Sequence, residues 1–418
     1  MVLAPPRKGR KPAPEGAARK LPIRPPIVFA ADASGMKIAQ ICPYDFDRPG
    51  GVQSHIRDLS LALERLGHEV TVIAPEMGAS PERPWGLKVA RAGRARKVRW
   101  GATNFELTLA LGEDRKRLDA LIADGGFDVI HYHTMWVPLV PYQIFRRSRT
   151  ANVATFHDTT AKTLGGRMLR TLFRSISKRL LPKLDAVIAV SPAPTENLRA
   201  REVTVHIVPP CTDLRRFADW KGRARKYGNG RINILFVGRL EKRKGVQHLM
   251  HAYAALCEAK LPVRLLIAGS GPEEKRLRSF AALRKLPEVV FIGSFETGDT
   301  PGLYGESDIM CAPSPYGESF GIVIAEAMAS GKPVVAAANE GYRHLLTGEA
   351  ARLLVTPGDE GALYWALRSL VVDAALRNRL CEWGRTEAMR YDSETVAPQL
   401  VAIYQEAIAK AKARNPRI

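Results

Sequence analysis

Buried apolar strands alternate with glycine-containing loops and helices along this chain, and the alternation occurs in two separate halves. The first half opens at Met36 with the strand KIAQIC, continues through a loop to helical periodicity over 52–66, and returns to a strand at 69–74. The second half repeats this order from a strand at 232–237 and a helix over 246–259. Such alternation favours parallel sheets covered by helices on both faces. The pattern therefore predicts an α/β protein with two Rossmann-like, doubly wound domains.

The amino-acid composition indicates the redox environment of the protein and the kinds of partner that it could bind. Five cysteines are scattered without paired spacing, which predicts a reduced, cytoplasmic setting. No apolar run approaches the roughly 20 residues that a bilayer crossing needs. The formal charge of +21 suits an anionic membrane surface, an anionic substrate or nucleic acid. No nucleic-acid-binding module is recognisable and aromatic residues are few, so nucleic acid is not an expected partner.

The first 35 residues are rich in Pro, Ala, Gly, Lys and Arg and have almost no apolar pattern. This composition predicts a disordered basic arm over 1–35. The arm could contact a membrane, or it could reflect a start site placed too early. A signal peptide is not expected, because the charged portion is long and no apolar segment with a cleavage site follows it.

Two dense clusters of positive charge lie between residues 88 and 117. The basic residues of the first cluster are Arg91, Arg94, Arg96, Lys97 and Arg99, and those of the second are Arg115, Lys116 and Arg117. We expect the second cluster to share a helix with five leucines, which are Leu107, Leu109, Leu111, Leu118 and Leu121. A basic, amphipathic segment is typical of a surface that rests on anionic lipid, although an ordinary solvated helix face has the same pattern. Each basic group adds only about 1 kcal/mol near such a surface, so the number of groups decides the effect.

The stretch PSPYGESFGIVIAEAMASGKPVV, at 313–335, joins the end of a strand to a helix. Its apolar spacing predicts that the helix opens near Ser319, with Glu318 in the first turn and Glu326 further along. A helix start leaves unpaired N–H groups and a partial positive charge, which together bind phosphate. A diphosphate at the helix tip and carboxylates on sugar hydroxyls would form a nucleotide-sugar site. The plain alternative is a structural helix under a sheet.

The spacing of Glu318 and Glu326, with GESFG and EAMASGKPVV around them, resembles the signature of the retaining glycosyltransferase family 4. FHD at 156–158, the loop PYDFDRPGGVQSH and the loop GRLEKRKG are similar to family motifs in order and spacing. The resemblance covers almost everything from Met36 onward. It implies the GT-B fold, in which two Rossmann-like domains face a central cleft. Within the family, the motifs look most like bacterial phosphatidylinositol mannosyltransferases, which take mannose from GDP-mannose at the cytoplasmic membrane.

The resemblance also implies a division of the chain. An acceptor domain at 36–212 would be followed by a nucleotide-sugar domain at 213–391, and a helix within 392–418 would cross back to the first domain. The linker PPCTDLRRF departs from the family pattern, because Pro210 and Cys211 stand in place of Asn and Gly.

Residue roles follow from the same resemblance. The implied catalytic residues are His157, Glu318, Arg239 and Lys244. The implied donor-binding residues are Gly51, Gly238, Arg239, Lys244, Gly269, Ile292, Glu318, Ser319, Phe320, Gly321 and Glu326. Tyr44 and Gln53 are expected near the acceptor. Two cations and a helix tip would neutralise the leaving diphosphate, so neither a metal nor another cofactor is expected.

Three functions are consistent with these features. The first is a retaining transferase that moves a hexose from a nucleotide sugar to a lipid acceptor, with mannose from GDP-mannose as the favoured donor. The protein would then be attached peripherally to the inner face of the cytoplasmic membrane. The second keeps the chemistry but uses a soluble, polysaccharide or lipopolysaccharide acceptor and a UDP- or GDP-sugar donor. The third is a nucleotide-sugar-binding protein without turnover. Sedimentation with anionic vesicles separates the first two functions.

Overall fold

The computed structural model contains two α/β domains that are connected twice by the chain. The structure describes residues 23–24, 35–47, 50–76, 84–100, 103–135, 140–159, 164–199, 203–220 and 225–415, with the backbone alone at 23–24, 76, 84, 94–100, 103–108, 164 and 297.

The first domain is built on a nine-stranded sheet. Its strands are β1 (Ile23–Arg24), β2 (Lys37–Ile41), β3 (Glu69–Glu76), β4 (Lys88–Trp100), β5 (Thr103–Leu109), β6 (Val129–His133), β7 (Ala151–Phe156), β8 (Ala186–Ala189) and β9 (Val205–Ile207). Its helices are α1 (Gly51–Arg65), α2 (Gly112–Asp124), α3 (Val140–Phe145) and α4 (Leu164–Leu180). The strand order is β1-β9-β8-β7-β6-β2-β3-β4-β5. Strands β4 and β5 pair antiparallel, and the other pairs are parallel.

The second domain has a six-stranded, fully parallel sheet. Its strands are β10 (Ile232–Val237), β11 (Val263–Ala268), β12 (Val289–Gly293), β13 (Ile309–Ala312), β14 (Val334–Ala337) and β15 (Leu354–Val355). The later helices are α5 (Arg215–Ala218), α6 (Val246–Glu258), α7 (Glu274–Leu283), α8 (Thr300–Gly305), α9 (Ile322–Ala329), α10 (Glu360–Val372), α11 (Ala374–Ala388) and α12 (Ser393–Arg414). The strand order β12-β11-β10-β13-β14-β15 reverses direction between β10 and β13. A parallel sheet binds ligands outside the carboxyl ends of its strands at such a reversal.

The last helix packs on the first domain. Val396, Leu400 and Tyr404 of α12 are buried in one cluster with Leu59 of α1 and with residues of the first sheet. The opposite face of that sheet is covered by α2, α3 and α4, which contribute to a second cluster. Burial of a side chain such as Leu400 contributes about 1.5 to 3 kcal/mol, so several such contacts hold α12 in place.

The two chain connections between the domains lie side by side. The backbone N–H of Ser393 donates to the Thr212 carbonyl at 2.8 Å. The Leu214 N–H donates to the Asp392 carboxylate at 2.9 Å. The linker after the first domain and the start of α12 thus form one paired segment.

Three expectations from the sequence differ from the structure. Leu107 and Leu109 lie on β5 rather than on the helix with Arg115, because the residues before Gly112 pair with β4 as an antiparallel hairpin. The helix in the 313–335 stretch begins at Ile322 rather than near Ser319.

The later helix start has a local cause. Gly317 and Gly321 have φ of 77° and 107°, which lie outside the right-handed helical region. The third difference lies in the predicted disordered arm, where Ile23–Arg24 pairs as a short strand with Val205 and His206 at the edge of the first sheet. Residues 1–22 and 25–34 lie outside the described residues.

Candidate active site

Loops from both domains meet at a cleft outside the strand ends. The Ser191 hydroxyl, after β8, donates a hydrogen bond to the Ser319 carbonyl, after β13. Gly51 opens α1, and a Cβ at this position would lie 3.7 Å from Cδ1 of Ile322, which opens α9. The starts of one helix from each domain therefore face each other. Both have unpaired N–H groups, so the contact region is suited to an anion.

An opening beside this contact is lined by both domains. The first domain contributes Thr159 and the turn at 193–197, and the second contributes Tyr316, Gly317 and Glu340. A ligand that enters here reaches the loops after β7 and β13 together.

A cation and an acid meet where the strand order of the second domain reverses. Lys244 Nζ lies 2.7 Å from Oε1 of Glu318, and Nη1 of Arg243 lies 3.2 Å from the same oxygen. Lys244 ends the turn that follows β10, whereas Glu318 follows β13. Gly245 makes the approach possible, because a Cβ there would lie 2.2 Å from the Pro313 carbonyl oxygen. Arg243 was not predicted as a site residue, and no sequence signal distinguished it from its basic neighbours.

Arg239 does not converge with Lys244 in this structure. Its side chain is 70% exposed and forms an ion pair with Glu241 at 3.1 Å. Arg239 and Lys244 were both expected to bind the diphosphate, but Arg239 pairs with an acid of its own loop, and that acid, Glu241, also pairs with Arg243 at 2.9 Å.

Two glycines keep the loops after β10 and β11 close to the strand ends. Gly238 has φ of 149° and Gly269 has φ of 135°. A Cβ on Gly269 would lie 1.9 Å from the Gly238 carbonyl oxygen, so a larger residue there would push the loops apart. Ile292, on the edge strand β12, is half-buried against the core of the second domain.

Phe320 can act at the cleft only through its backbone. Its side chain is buried, with its ring centroid 5.2 Å from that of His344 and 5.3 Å from that of Tyr391. Ser319 is half-buried, and its carbonyl accepts the bond from Ser191.

Glu326 lies in the second turn of α9 and is buried. The Tyr304 hydroxyl donates to its Oε2 at 2.8 Å. Burial raises the pKa of Glu326 to about 7, so the carboxyl group is only partly ionised at neutral pH.

His157 follows β7 and is buried beside other histidines. Its Nε2 lies 3.1 Å from Nδ1 of His133. Burial, with nearby histidines as a further cause, lowers the pKa of His157 well below its ordinary value and keeps the ring neutral. His157 was expected among the catalytic residues, but its contact with His55 on α1 was not predicted.

The acceptor residues predicted from the sequence lie in the loop that leads into α1. Nε2 of Gln53 donates to the Asp45 carbonyl at 3.2 Å. Tyr44 is half-buried against Phe46 and its neighbours. Asp47 pairs with Arg91 at 2.8 Å, so this acid has a structural partner.

The two basic clusters that were expected to contact a membrane lie on strand β4 and on helix α2, and α2 is less basic than expected because it also carries acids. Arg94, Arg96, Lys97 and Arg99 lie on β4, and their side chains lie outside the described residues. Helix α2 carries three basic and four acidic residues. Arg115 pairs with Asp119 at 3.3 Å and Lys116 with Glu113 at 2.7 Å, whereas Arg117 is exposed.

Helix α4 has a stronger basic character that sequence reasoning missed. Its 17 residues include Arg167, Arg170, Arg174, Lys178 and Arg179 and no acid. Phe173, Ser177 and Leu180 face the core, while Met168 and Leu172 are 69% and 51% exposed. The sequence could have predicted this helix, because its apolar residues have helical spacing and the residues between them are basic or small. None of the helices in the described part of the chain has the length and apolar composition that a membrane crossing requires.

Comparison with known proteins identifies the family. The Glycosyltransferase Family 4 domain model matches residues 49–216, and Glycosyl transferases group 1 matches residues 221–387. The chain is 34% identical over 372 residues to the phosphatidyl-myo-inositol mannosyltransferase of Mycobacterium leprae, covering 88% of this chain and 96% of that protein. The chain belongs to glycosyltransferase family 4.

This family 4 glycosyltransferase has a further relative with the same name, and two solved structures share its fold. It is 30% identical to the phosphatidyl-myo-inositol mannosyltransferase of Propionibacterium freudenreichii subsp. shermanii, over 88% of this chain and 94% of that protein. The sucrose-phosphate synthase of Thermosynechococcus elongatus superposes with a TM-score of 0.71 at 23% identity, over 90% of this chain and 100% of that one. Anabaena Alr3699/HepE in complex with UDP and glucose superposes with a TM-score of 0.69 at 22% sequence identity. The match covers 91% of this chain and 100% of that one. The predicted family and the GT-B fold are confirmed.

Proposed function

We propose that this glycosyltransferase moves a hexose, with mannose from GDP-mannose as the favoured donor, onto a lipid acceptor with retention of configuration. The observation that carries the proposal is the meeting of Lys244 and Glu318, 2.7 Å apart, at the strand reversal of the second domain. Relatives named phosphatidyl-myo-inositol mannosyltransferases support the sugar and the lipid acceptor. The HepE complex with UDP and glucose supports a nucleotide sugar as donor.

The donor diphosphate would bind where a cation and helix N-termini coincide. Departure of the nucleotide builds negative charge on the leaving phosphate. Lys244 and the backbone N–H groups that open α9 stabilise this charge, and preorganised donors of this kind act strongly in a partly dry cleft. Arg239 joins them when its side chain turns away from Glu241. A diphosphate neutralised in this way needs no metal ion.

The sugar and the ribose would be held by side chains from both domains. Glu318, released from its contacts with Lys244 and Arg243 as the phosphate takes their place, accepts hydrogen bonds from sugar hydroxyls. His157 orients the sugar from the side of the first domain. Glu326 binds the ribose, whose hydroxyls favour the ionised carboxylate and so oppose its raised pKa.

Retention would follow from attack on the face from which the nucleotide leaves. The anomeric carbon becomes cationic as the bond to the phosphate lengthens. The acceptor hydroxyl approaches beside the departing phosphate, gives its proton to a phosphate oxygen and forms the new glycosidic bond. Tyr44 and Gln53, in the loop before α1, would hold the acceptor.

A peripheral contact with the inner face of the cytoplasmic membrane would deliver the lipid acceptor. Helix α4 offers basic residues and exposed apolar side chains on one surface, the combination that binds anionic lipid. It packs on the turn at 193–197, which lines the opening to the cleft. The clusters at 94–99 and 115–117 would lie on the same domain, with α2 contributing less because its acids offset its cations.

A transfer assay tests the proposal. The full chain is incubated with phosphatidylinositol vesicles and either GDP-mannose, UDP-glucose or UDP-galactose, and sugar on the lipid is measured by mass spectrometry. We expect transfer from GDP-mannose with an α-linked product. Transfer only to soluble glycans would favour the second function. Nucleotide binding without transfer or hydrolysis would favour a binding protein.

A further inference from the structure

Three buried histidines from different parts of the chain meet behind the cleft. A ring nitrogen of each of His55, His133 and His157 lies within 4.8 Å of the others, a spacing that resembles a three-histidine metal site. However, Nδ1 of His55 accepts a hydrogen bond from the Cys211 N–H at 2.7 Å. A neutral His55 therefore has its proton on Nε2 and has no lone pair free on either nitrogen. The cluster is better explained without a metal ion.

His133 and His157 belong to a buried chain of hydrogen bonds that reaches the C-terminal helix. Nε2 of His157 lies 3.1 Å from Nδ1 of His133, and Nε2 of His133 lies 2.7 Å from Oε1 of Gln40. Nε2 of Gln40 donates to the Tyr404 hydroxyl at 3.2 Å. That hydroxyl lies 2.7 Å from Nδ1 of His131. Only Gln40 and His133 thus separate Tyr404 from His157.

The direction of each bond follows from its neighbour. The Gln40 amide donates to Tyr404, so its carbonyl oxygen accepts the proton on Nε2 of His133. Burial lowers the pKa of His133 and His157 well below the ordinary value, and a neutral imidazole has a single N–H. Nδ1 of His133 must then be the acceptor, and His157 donates from Nε2. Nδ1 of His157, which bonds to none of the described residues, keeps its lone pair.

The other side of Tyr404 holds the chain in this direction. When His131 has its proton on Nε2, which lies 2.7 Å from the Thr155 hydroxyl, its Nδ1 accepts the hydroxyl proton of Tyr404 at 2.7 Å. The hydroxyl therefore offers Gln40 an acceptor. To reverse the direction of these hydrogen bonds, the Gln40 amide would have to exchange the positions of its oxygen and nitrogen, and each histidine would have to move its proton to the other ring nitrogen.

We infer that Tyr404 is a positioning residue for His157: through Gln40 and His133 it fixes the tautomer in which Nδ1 of His157 accepts a hydrogen bond from a sugar hydroxyl. The effect on transfer rests on the proposed function, whereas the tautomer does not. Tyr404 lies on α12, outside the motifs of both domains, and it is completely buried.

The test measures the tautomer directly. Full-length protein labelled with ¹⁵N-histidine is compared with Tyr404→Phe by long-range ¹H–¹⁵N correlation at neutral pH, with His157 assigned from a His157→Asn spectrum. In the wild type we expect an unprotonated Nδ1 and a protonated Nε2 on His157. In Tyr404→Phe we expect averaged signals and a kcat lowered about 10-fold, the size of one lost hydrogen bond, with little change in the KM for the donor.

Two further comparisons separate positioning from general stability. Tyr253→Phe removes a buried hydroxyl that donates to the Pro287 carbonyl at 2.8 Å in the other domain, and it should leave the spectrum of His157 unchanged. Gln40→Glu keeps acceptors toward His133 and should retain the tautomer, whereas Gln40→Met should lose it.

The outcomes are distinct. A protonated Nδ1 in the wild type, or an unchanged His157 spectrum in Tyr404→Phe, would overturn the inference. A changed tautomer with unchanged transfer would support the inference and remove His157 from the proposed mechanism.

Discussion

Lys244 Nζ lies 2.7 Å from Oε1 of Glu318, although 74 residues separate them along the chain. The two side chains are 17% and 11% exposed, so the pair is largely shielded from water. One ion is suited to the donor phosphate and the other to its sugar. The pairing therefore holds both groups at the place where the donor is expected to bind.

Replacement of Lys244 tests the role of this pair. We expect Lys244→Ala to lower kcat/KM for sugar transfer about 100-fold, because one preorganised charge on the leaving phosphate is removed. Steady-state transfer from GDP-mannose measures the effect. Lys242→Ala is the control, because Lys242 lies in the same turn but is exposed. Equal activity of the two variants would contradict the assignment.

The raised pKa of Glu326 predicts a pH-dependent stability difference. Its folded pKa of about 7 exceeds the ordinary value of 4.5, so the buried carboxyl destabilises the fold increasingly as pH rises between these values. Glu326→Gln cannot ionise. Thermal unfolding should therefore show the variant gaining stability relative to the wild type from pH 5 to 7, with a constant difference above pH 8.

Glu349→Gln supplies the control for that measurement. Hydrogen bonding to Arg379 lowers the pKa of Glu349, so this group is ionised in the folded state, and above about pH 6 it is ionised in the unfolded state as well. Its stability difference from the wild type should not change between pH 6 and 8. A flat difference for Glu326→Gln as well would show that Glu326 is not desolvated in solution.

Neutralisation of helix α4 tests the membrane contact. Arg167, Lys178 and Arg179 form no ion pair within the described part of the chain. At about 1 kcal/mol for each charge, their joint replacement by Gln should weaken binding to anionic vesicles about 100-fold. Sedimentation at low and high salt measures this loss.

A matched variant distinguishes α4 from α2. Replacement of Arg115, Lys116 and Arg117 by Gln removes the same number of charges, but two of these are paired within α2. We expect a smaller loss of vesicle binding in this α2 variant than in the α4 variant. The reverse order would assign the membrane contact to α2 and its neighbouring hairpin.

Replacement of Gly269, the glycine after β11, is expected to lower the stability of the fold. Gly269→Ala combines a positive φ with a Cβ 1.9 Å from the Gly238 carbonyl oxygen. Gly348→Ala also has a positive φ, but no atom lies within 4 Å of its Cβ. We expect about 1 kcal/mol of destabilisation at Gly348 and a clearly greater loss at Gly269, measured by urea unfolding. Similar losses at both positions would contradict the close approach of the two loops.

Local sequence patterns determined the elements and the family of this protein. Alternating apolar runs and glycine loops predicted the parallel strands of both sheets, because strand and helix periodicities are local properties. They did not predict the antiparallel pairing of β4 with β5. The motif around Glu318 and Glu326 predicted the family in the same way. Short-range apolar spacing misplaced the start of α9, since it does not reveal that Gly317 and Gly321 adopt positive φ.

Only the tertiary structure decided which side chains meet. Arg239 and Lys244 are equally basic and close in sequence, yet one pairs with Glu241 at the surface and the other with Glu318 in the cleft. The chain of bonds from Tyr404 to His157 joins α12 to strands β2, β6 and β7, and its members are far apart in the sequence. Contacts of this kind depend on how sheets and helices pack, and that packing brings together residues with no local signal in common.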